Sequence, residues 1–147
     1  MNQATLKPKK ITFKHAESEW YNYHHTLKEI AKLREGIKYP FDEDPEDPTI
    51  VKGANSVRTP GNPTQRIATR LTTSKQLTYL TEVAEAVEQV YNALPDDYKK
   101  LVQLRYWSKS KDLTWDSLAL ELNVSRRQAI YWRKEIIQAT VEVLGWR

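Results

Sequence analysis

The chain has 147 residues, of which 39% are hydrophobic, 29% charged and 10% aromatic, and its formal net charge is +4. This length suffices for one domain, or for a small domain with an extension that packs on something else. Cysteine is absent, which excludes disulfides, thiolate catalysis and cysteine-based zinc sites.

The first segment, residues 1–12, is polar and rich in lysine, and we interpret it as a flexible basic arm. No apolar core follows these lysines, as it would in a signal peptide, and no apolar run is long enough to cross a bilayer. We therefore expect a cytoplasmic protein with no membrane partner.

The second segment carries a helical pattern, because apolar residues recur from Phe13 at spacings of three and four until Gly36 and Pro40. It predicts one N-terminal helix over residues 13–37. Such a stripe buries little by itself, so it needs a partner helix in the same chain or in a second copy. Trp20 and Tyr23 on this stripe are predicted to be core or interface residues rather than a ligand site.

Residues 38–63 are rich in proline and contain five acids at 42–47, and we interpret them as an acidic linker that is disordered over 42–58. The acidic run does not predict a calcium loop, since its prolines and its lack of a glycine turn conflict with the required geometry.

A long helix is predicted over residues 64–94, opened by Asn62 and Pro63 and ended by Pro95. The low helix propensity of residues 72–74 marks a candidate interruption. Its stripe of leucine, alanine, valine and tyrosine predicts pairing with the helix at 13–37, as a long helical hairpin that serves oligomerisation.

Residues 95–147 predict a three-helix domain of the helix–turn–helix type. Asp96 and Asp97 favour a helix start at 96, and that helix extends to 107. Thr114 is the predicted N-cap of the second helix. Ser125 is the predicted N-cap of the third, which runs to about Leu144.

Because the two helices of such a motif cross closely, their facing side chains must be apolar. The predicted inward set is Leu118, Ala119, Leu122, Val124, Ala129, Trp132 and Ile136. Asn123 lies at a turn position that often needs a left-handed backbone, which Asn tolerates best after Gly. Ile137 and Trp146 are candidates for closing the domain or joining a subunit interface.

The opposite face of the third helix follows from its period of 3.6 residues. It presents the predicted DNA-contacting set Arg126, Arg127, Gln128, Tyr131 and Lys134. Arginine bonds bidentately to guanine and glutamine to adenine, whereas tyrosine and lysine suit contact with phosphate or with a thymine methyl group. Further DNA contacts are predicted at the two helix starts and in the preceding loop, at Thr114, Trp115, Ser125, Lys109 and Lys111.

The alternative is structural, since amphipathic helix pairs are common and an Arg-Arg pair at a helix start is often only solvated surface. The three-helix context and the capped Ser-Arg-Arg-Gln start favour DNA binding. The three histidines, His15, His24 and His25, lack a carboxylate at ligand spacing and do not predict a metal site. No phosphate loop, nucleophile elbow or catalytic carboxylate pair is present, so we expect no cofactor, no metal and no enzymatic activity.

Several motifs resemble phage transcriptional activators of the RinA type (ArpU-like late gene regulators). They are LPDDYKKLVQLRYW at 94–107, LTWDSLA at 113–119, NVSRR at 123–127 and YWRK at 131–134, with FKHAE at 13–17 and GNPTQRIATRL at 61–71. The C-terminal third is also similar to sigma factor region 4. The acidic insert at 41–48 departs from the family pattern and leaves the spacing after the N-terminal helix open.

The resemblance implies a phage regulator that activates late packaging and morphogenesis genes in a bacterial host cell. Its expected partners are double-stranded DNA of the late promoter region, host RNA polymerase, and further copies of itself as a homodimer or higher homo-oligomer. A dimer would let two recognition helices span half-sites one helical turn apart. Two alternatives stay open: a phage small terminase subunit that recognises viral DNA for packaging, and an adaptor that docks on RNA polymerase.

Overall fold

The computed structural model describes residues 7–38, 63–109 and 113–147. Within these ranges the chain forms six α-helices and no β-strand, which confirms the predicted all-α class. The helices are α1 (Lys10–Tyr21), α2 (Tyr23–Lys38), α3 (Pro63–Ala93), α4 (Asp96–Arg105), α5 (Trp115–Leu122) and α6 (Arg126–Leu144).

Two compact units divide the chain. The first contains α1, the start of α2, the end of α3 from Glu82, and all of α4, α5 and α6. The second is Thr26–Thr81, of which residues 39–62 lie outside the described part. The prediction of a disordered linker at 42–58 falls on those residues.

In the second unit, Thr26 and Ile30 are buried on α2, whereas Ile67 and Leu71 on α3 are more than half exposed. Helix α3 continues through residues 72–74, so the predicted interruption was wrong. The hydroxyls of the threonines there donate to carbonyl oxygens four residues earlier on the same helix, and this satisfies them without breaking it.

The N-terminal helix differs from the prediction, because it is two helices rather than one over 13–37. Helix α1 already begins at Lys10, inside the predicted arm, and ends at Tyr21, and Asn22 separates it from α2 with φ −93° and ψ 3°. Helix α1 packs against α6. The physical reason is that Ala16 and Trp20 are fully buried in the core of the first unit.

One feature of the predicted hairpin is present within the first unit. The Tyr23 hydroxyl, at the start of α2, donates to Glu88 Oε1 on α3 at 2.5 Å. The hydrogen bond and the charge of Glu88 add to burial in raising the pKa of Tyr23. Pairing of the remaining residues of 13–37 with 64–81, and oligomerisation through them, stays a prediction.

The core of the first unit joins α1, the end of α3, α4, α5 and α6, and Tyr23 at the start of α2 packs against it. Its largest fully buried members are Trp20, Val87, Leu101, Leu118, Ile136 and Ile137. Full burial of one such aliphatic side chain contributes about 1.5–3 kcal/mol. Ala16 and Trp20 of α1 and Val87 and Val90 of α3 belong to the same buried cluster as the side chains of α4, α5 and α6. The predicted three-helix domain at 95–147 is therefore completed by α1 and the end of α3.

An aromatic cluster covers the junction between α1 and α2. The Trp107 ring lies 6.0 Å from Trp20, 5.4 Å from Tyr23 and 4.8 Å from Tyr91, centroid to centroid. The Trp107 indole Nε1–H donates to the carbonyl oxygen of Trp20 at 3.0 Å. This carbonyl lies in the last turn of α1, where helix carbonyls lack partners within the helix. Trp107 therefore stabilises the end of α1 as well as the core.

Candidate nucleic-acid interface

Helices α5 and α6 are joined by a turn of three residues, Asn123, Val124 and Ser125. Asn123 has φ 57° and ψ 40°, and it is the only non-glycine residue with positive φ in the described part of the chain. The N–H of Val124 donates to the carbonyl oxygen of Ala119 at 3.0 Å and closes the end of α5. The predicted left-handed position at Asn123 is confirmed.

Both predicted N-caps are present. Thr114 Oγ1 accepts from the backbone N–H of Ser117 at 3.2 Å, and Ser125 Oγ accepts from that of Gln128 at 3.1 Å. Each bond satisfies one of the backbone donors that a helix start leaves unpaired. Thr114 and Ser125 are exposed, so the remaining amides at these helix starts face an accessible surface.

The inward face of the motif is apolar, as predicted. Leu118, Ala129 and Ile136 are fully buried, and Trp132 is 8% exposed. Ala119 and Leu122 are also buried, and Val124 is partly buried against the same core. These contacts fix the rotation of α6 about its own axis, because a helix cannot turn without exposing this face.

The outward face of α6 carries the predicted DNA-contacting set, and every member is exposed: Arg126, Arg127, Gln128, Tyr131 and Lys134. Tyr131 is 55% exposed, which is unusual for a large aromatic side chain. Arg126 Nε lies 3.6 Å from Asp116 Oδ1 on α5, with both side chains mostly exposed. A pair of this kind is weak in water, so it leaves Arg126 able to exchange Asp116 for another acceptor.

The remaining predicted DNA contacts are in different environments. Lys109 is exposed, and Lys111 lies outside the described residues. Trp115 is half-buried, with the guanidinium carbon of Arg105 4.5 Å from its ring centroid and that of Arg133 5.8 Å away. Trp115 thus has a packing role in the structure in addition to the predicted contact.

A charged network beneath the motif was missed by sequence reasoning. The Arg133 guanidinium on α6 donates twice to the Glu17 carboxylate on α1, from Nε to Oε2 at 2.5 Å and from Nη2 to Oε1 at 2.8 Å. The Tyr106 hydroxyl donates to Glu17 Oε2 at 2.8 Å. Glu17 and Arg133 are 116 residues apart, and no periodicity relates such distant positions.

The pKa of Glu17 reflects this network. Burial is the largest single influence and would raise the pKa, but hydrogen bonds from Arg133 and Tyr106 and the charges of Arg133 and Arg105 together lower it. The same pair raises the pKa of Arg133, and burial beside Glu17 raises the pKa of the Tyr106 hydroxyl. Glu17 and Arg133 therefore form a charged pair throughout the neutral pH range.

The prediction that no carboxylate lies at ligand spacing from the histidines was wrong for His15, because Glu19 one turn later places its Oε1 3.4 Å from His15 Nε2. The His15 ring stacks on Trp146 with centroids 4.4 Å apart, and His24 lies 5.2 Å from Trp107. Among residues 7–38, 63–109 and 113–147, no three histidine or acidic side chains are grouped as a metal would require. Within the same ranges, none of the helices combines the length and apolarity that a membrane span needs.

These features define an all-α protein whose helix–turn–helix unit is built into a larger helical core. Its residues 20–142 match the model of the family described as "Protein of unknown function (DUF722)", and the chain belongs to this family. No curated protein and no solved structure matches the chain.

Proposed function

We propose that this protein is a sequence-specific double-stranded DNA-binding regulator that inserts the start of α6 into the major groove. The observation that carries the proposal is the exposed row of Arg126, Arg127, Gln128, Tyr131 and Lys134, opposite the buried face of the same helix. Three of these side chains are cationic, and Arg and Gln have the donor geometry that reads guanine and adenine.

The exposed row lies on a helix whose opposite face is firmly packed. This support favours a role in DNA recognition over that of a solvated surface. Ala129 and Trp132 anchor the first turns of α6, the part that approaches base edges in helix–turn–helix proteins. Ser125 caps the same end, and its neighbouring amides suit a phosphate oxygen. In this arrangement Arg127 and Gln128 read bases, whereas Thr114, Trp115, Ser125 and Lys109 lie along the phosphate backbone.

The biological role follows from the resemblance to RinA-type activators. In this role the protein activates phage late genes for packaging and morphogenesis, through double-stranded DNA of the late promoter region and contact with host RNA polymerase. A homodimer would present two copies of α6 to half-sites about 34–36 Å apart, one turn of the duplex. The exposed Ile67 and Leu71 on α3 support self-association, since each leaves an apolar side chain in water.

The decisive experiment is selection of bound sequences from a random duplex library, followed by footprinting of the selected site. Arg127→Ala is expected to weaken binding to the selected site by about 1–3 kcal/mol and to relax base preference at one position. Lys75→Ala serves as the matched control, because it removes an exposed positive charge on α3. It should leave the preference for particular DNA bases unchanged. An unaltered footprint and affinity in Arg127→Ala would exclude this recognition face.

Two other functions give different results in simple measurements. A small terminase subunit would bind DNA as a ring of many subunits, which light scattering on the purified protein separates from a dimer. An adaptor that docks on RNA polymerase without touching DNA would show no salt-dependent binding to duplexes. Real phosphate contacts must weaken steeply as the salt concentration rises.

A further inference from the structure

Helix α6 carries a third arginine, Arg133, whose charge is directed away from the outward row. Arg133 lies between Tyr131 and Lys134 in sequence, yet its side chain is only 27% exposed, and that of Glu17 only 13%. The two hydrogen bonds to Glu17 hold the guanidinium in a bidentate pair, the strongest geometry available to arginine. Arg133 is thus a cationic side chain on the candidate recognition helix whose charge is already paired with that of Glu17.

Aromatic side chains hold the same guanidinium from two other helices. Its carbon lies 4.9 Å from the Phe13 ring centroid on α1 and 5.8 Å from that of Trp115 on α5. Arginine stacks well on aromatic faces, and the attraction is stronger where water is excluded. Both the carboxylate and the rings therefore keep Arg133 inside the fold.

A free arginine at this place would change how the protein meets DNA. Phosphate contacts raise affinity for every sequence alike, whereas base contacts distinguish sequences. We propose that Glu17 is a positioning residue for specificity: it withdraws Arg133 from phosphate binding, so that the outward row of α6 dominates recognition. This inference rests on the proposed function, because it concerns how that site selects its DNA.

The test compares the salt dependence of binding to the selected duplex and to a random duplex. In Glu17→Gln the freed Arg133 should add one phosphate contact and steepen the slope of log affinity against log salt by about 0.9. The ratio of specific to nonspecific affinity should fall. Glu142→Gln is the matched control, because it removes one exposed acid from α6, the helix of Arg133, and changes the net charge by the same amount as Glu17→Gln. Its slope and ratio should stay at the wild-type values.

Three more variants separate this role from a merely structural one. Glu17→Asp keeps the charge, and it should retain the wild-type slope. Arg133→Gln and the double variant Glu17→Gln/Arg133→Gln should also have the wild-type slope, since under this inference Arg133 does not contact phosphates in the wild type. Circular dichroism confirms that each variant is folded at the assay temperature.

Each contrary result has a distinct meaning. A lower slope in Arg133→Gln would show that Arg133 contacts phosphate in the wild type and would overturn the inference. An unchanged slope in folded Glu17→Gln would overturn it too, while leaving the proposed function intact. Absence of duplex binding by the wild type would instead remove the proposed function itself.

Discussion

The indole Nε1–H of Trp20 donates to Thr140 Oγ1 at 2.9 Å, and both side chains are fully buried. Thr140 in turn donates to the carbonyl oxygen of Ile136 at 2.9 Å, so its hydroxyl is used in both directions. The hydrogen bond between Trp20 and Thr140 joins α1 to the C-terminal half of α6. It makes the N-terminal helix a structural part of the helix–turn–helix unit.

Thr140→Val tests the strength of that tie. The variant keeps the shape of the side chain but leaves the Trp20 N–H buried without an acceptor, which should lower the free energy of unfolding by about 1–3 kcal/mol. Urea denaturation followed by tryptophan fluorescence measures the change. Thr140→Ser keeps the hydroxyl and should lose less. A Thr140→Val variant as stable as the wild type would contradict a stabilising role for this hydrogen bond.

Asn123 provides a test of backbone geometry in the turn. Its φ of 57° is left-handed, so Asn123→Val should lower the free energy of unfolding by about 1–2 kcal/mol. Asn123→Gly should be nearly neutral, since glycine adopts this conformation without steric conflict. Thermal unfolding by circular dichroism distinguishes the two. Val124→Ala, at the next position, controls for loss of apolar contact in the turn.

Ser125 allows capping to be separated from DNA contact. Ser125→Ala removes the acceptor for the Gln128 N–H and should lower the free energy of unfolding by about 1 kcal/mol. Ser125→Asp retains a capping oxygen, so stability should stay near the wild-type value, but its negative charge should weaken duplex binding. Fluorescence anisotropy with labelled duplex measures the second effect. Binding at wild-type strength by Ser125→Asp would place this helix start away from phosphate.

The lowered pKa of Glu17 predicts how stability depends on pH. A carboxyl whose pKa is lower in the folded state stabilises the fold above its ordinary pKa of 4.5, and the contribution is lost as pH falls through the folded value. The stability advantage of the wild type over Glu17→Gln should therefore be largest near neutral pH and shrink in acid. Urea unfolding at a series of pH values measures it. A constant difference across the series would contradict the charged pair.

Local rules predicted the C-terminal motif well. The left-handed turn at Asn123 was predicted from a short-range backbone preference. The N-caps at Thr114 and Ser125 were predicted from the capping preference of hydroxyl side chains. Each of these features depends on neighbours within four residues. Periodicity gave the buried and exposed faces of α6 for the same reason. All of these are properties of a single helix or turn.

Long-range docking could not be obtained in this way. The apolar stripe of the N-terminal segment is compatible with packing on α3 and with packing on α6. Periodicity identifies the buried face of a helix but not the helix that covers it. The choice depends on the Trp20–Thr140 bond and the Glu17–Arg133 pair, which join residues more than 100 positions apart. The break at Asn22 also escaped prediction, because neither glycine nor proline marks it.

The contacts of Arg105, Trp115, Arg133 and Phe13 form a chain of alternating cations and rings across α4, α5, α6 and α1. Neither helix of the motif can tilt against the other without separating a guanidinium from a ring. Under the proposed function, a unit braced in this way would meet a duplex as a rigid body, and little conformational entropy would be lost on association. The adjustment required for a tight fit would then fall on the nucleic acid, and sites that bend easily would be favoured over stiff ones with the same contacted bases.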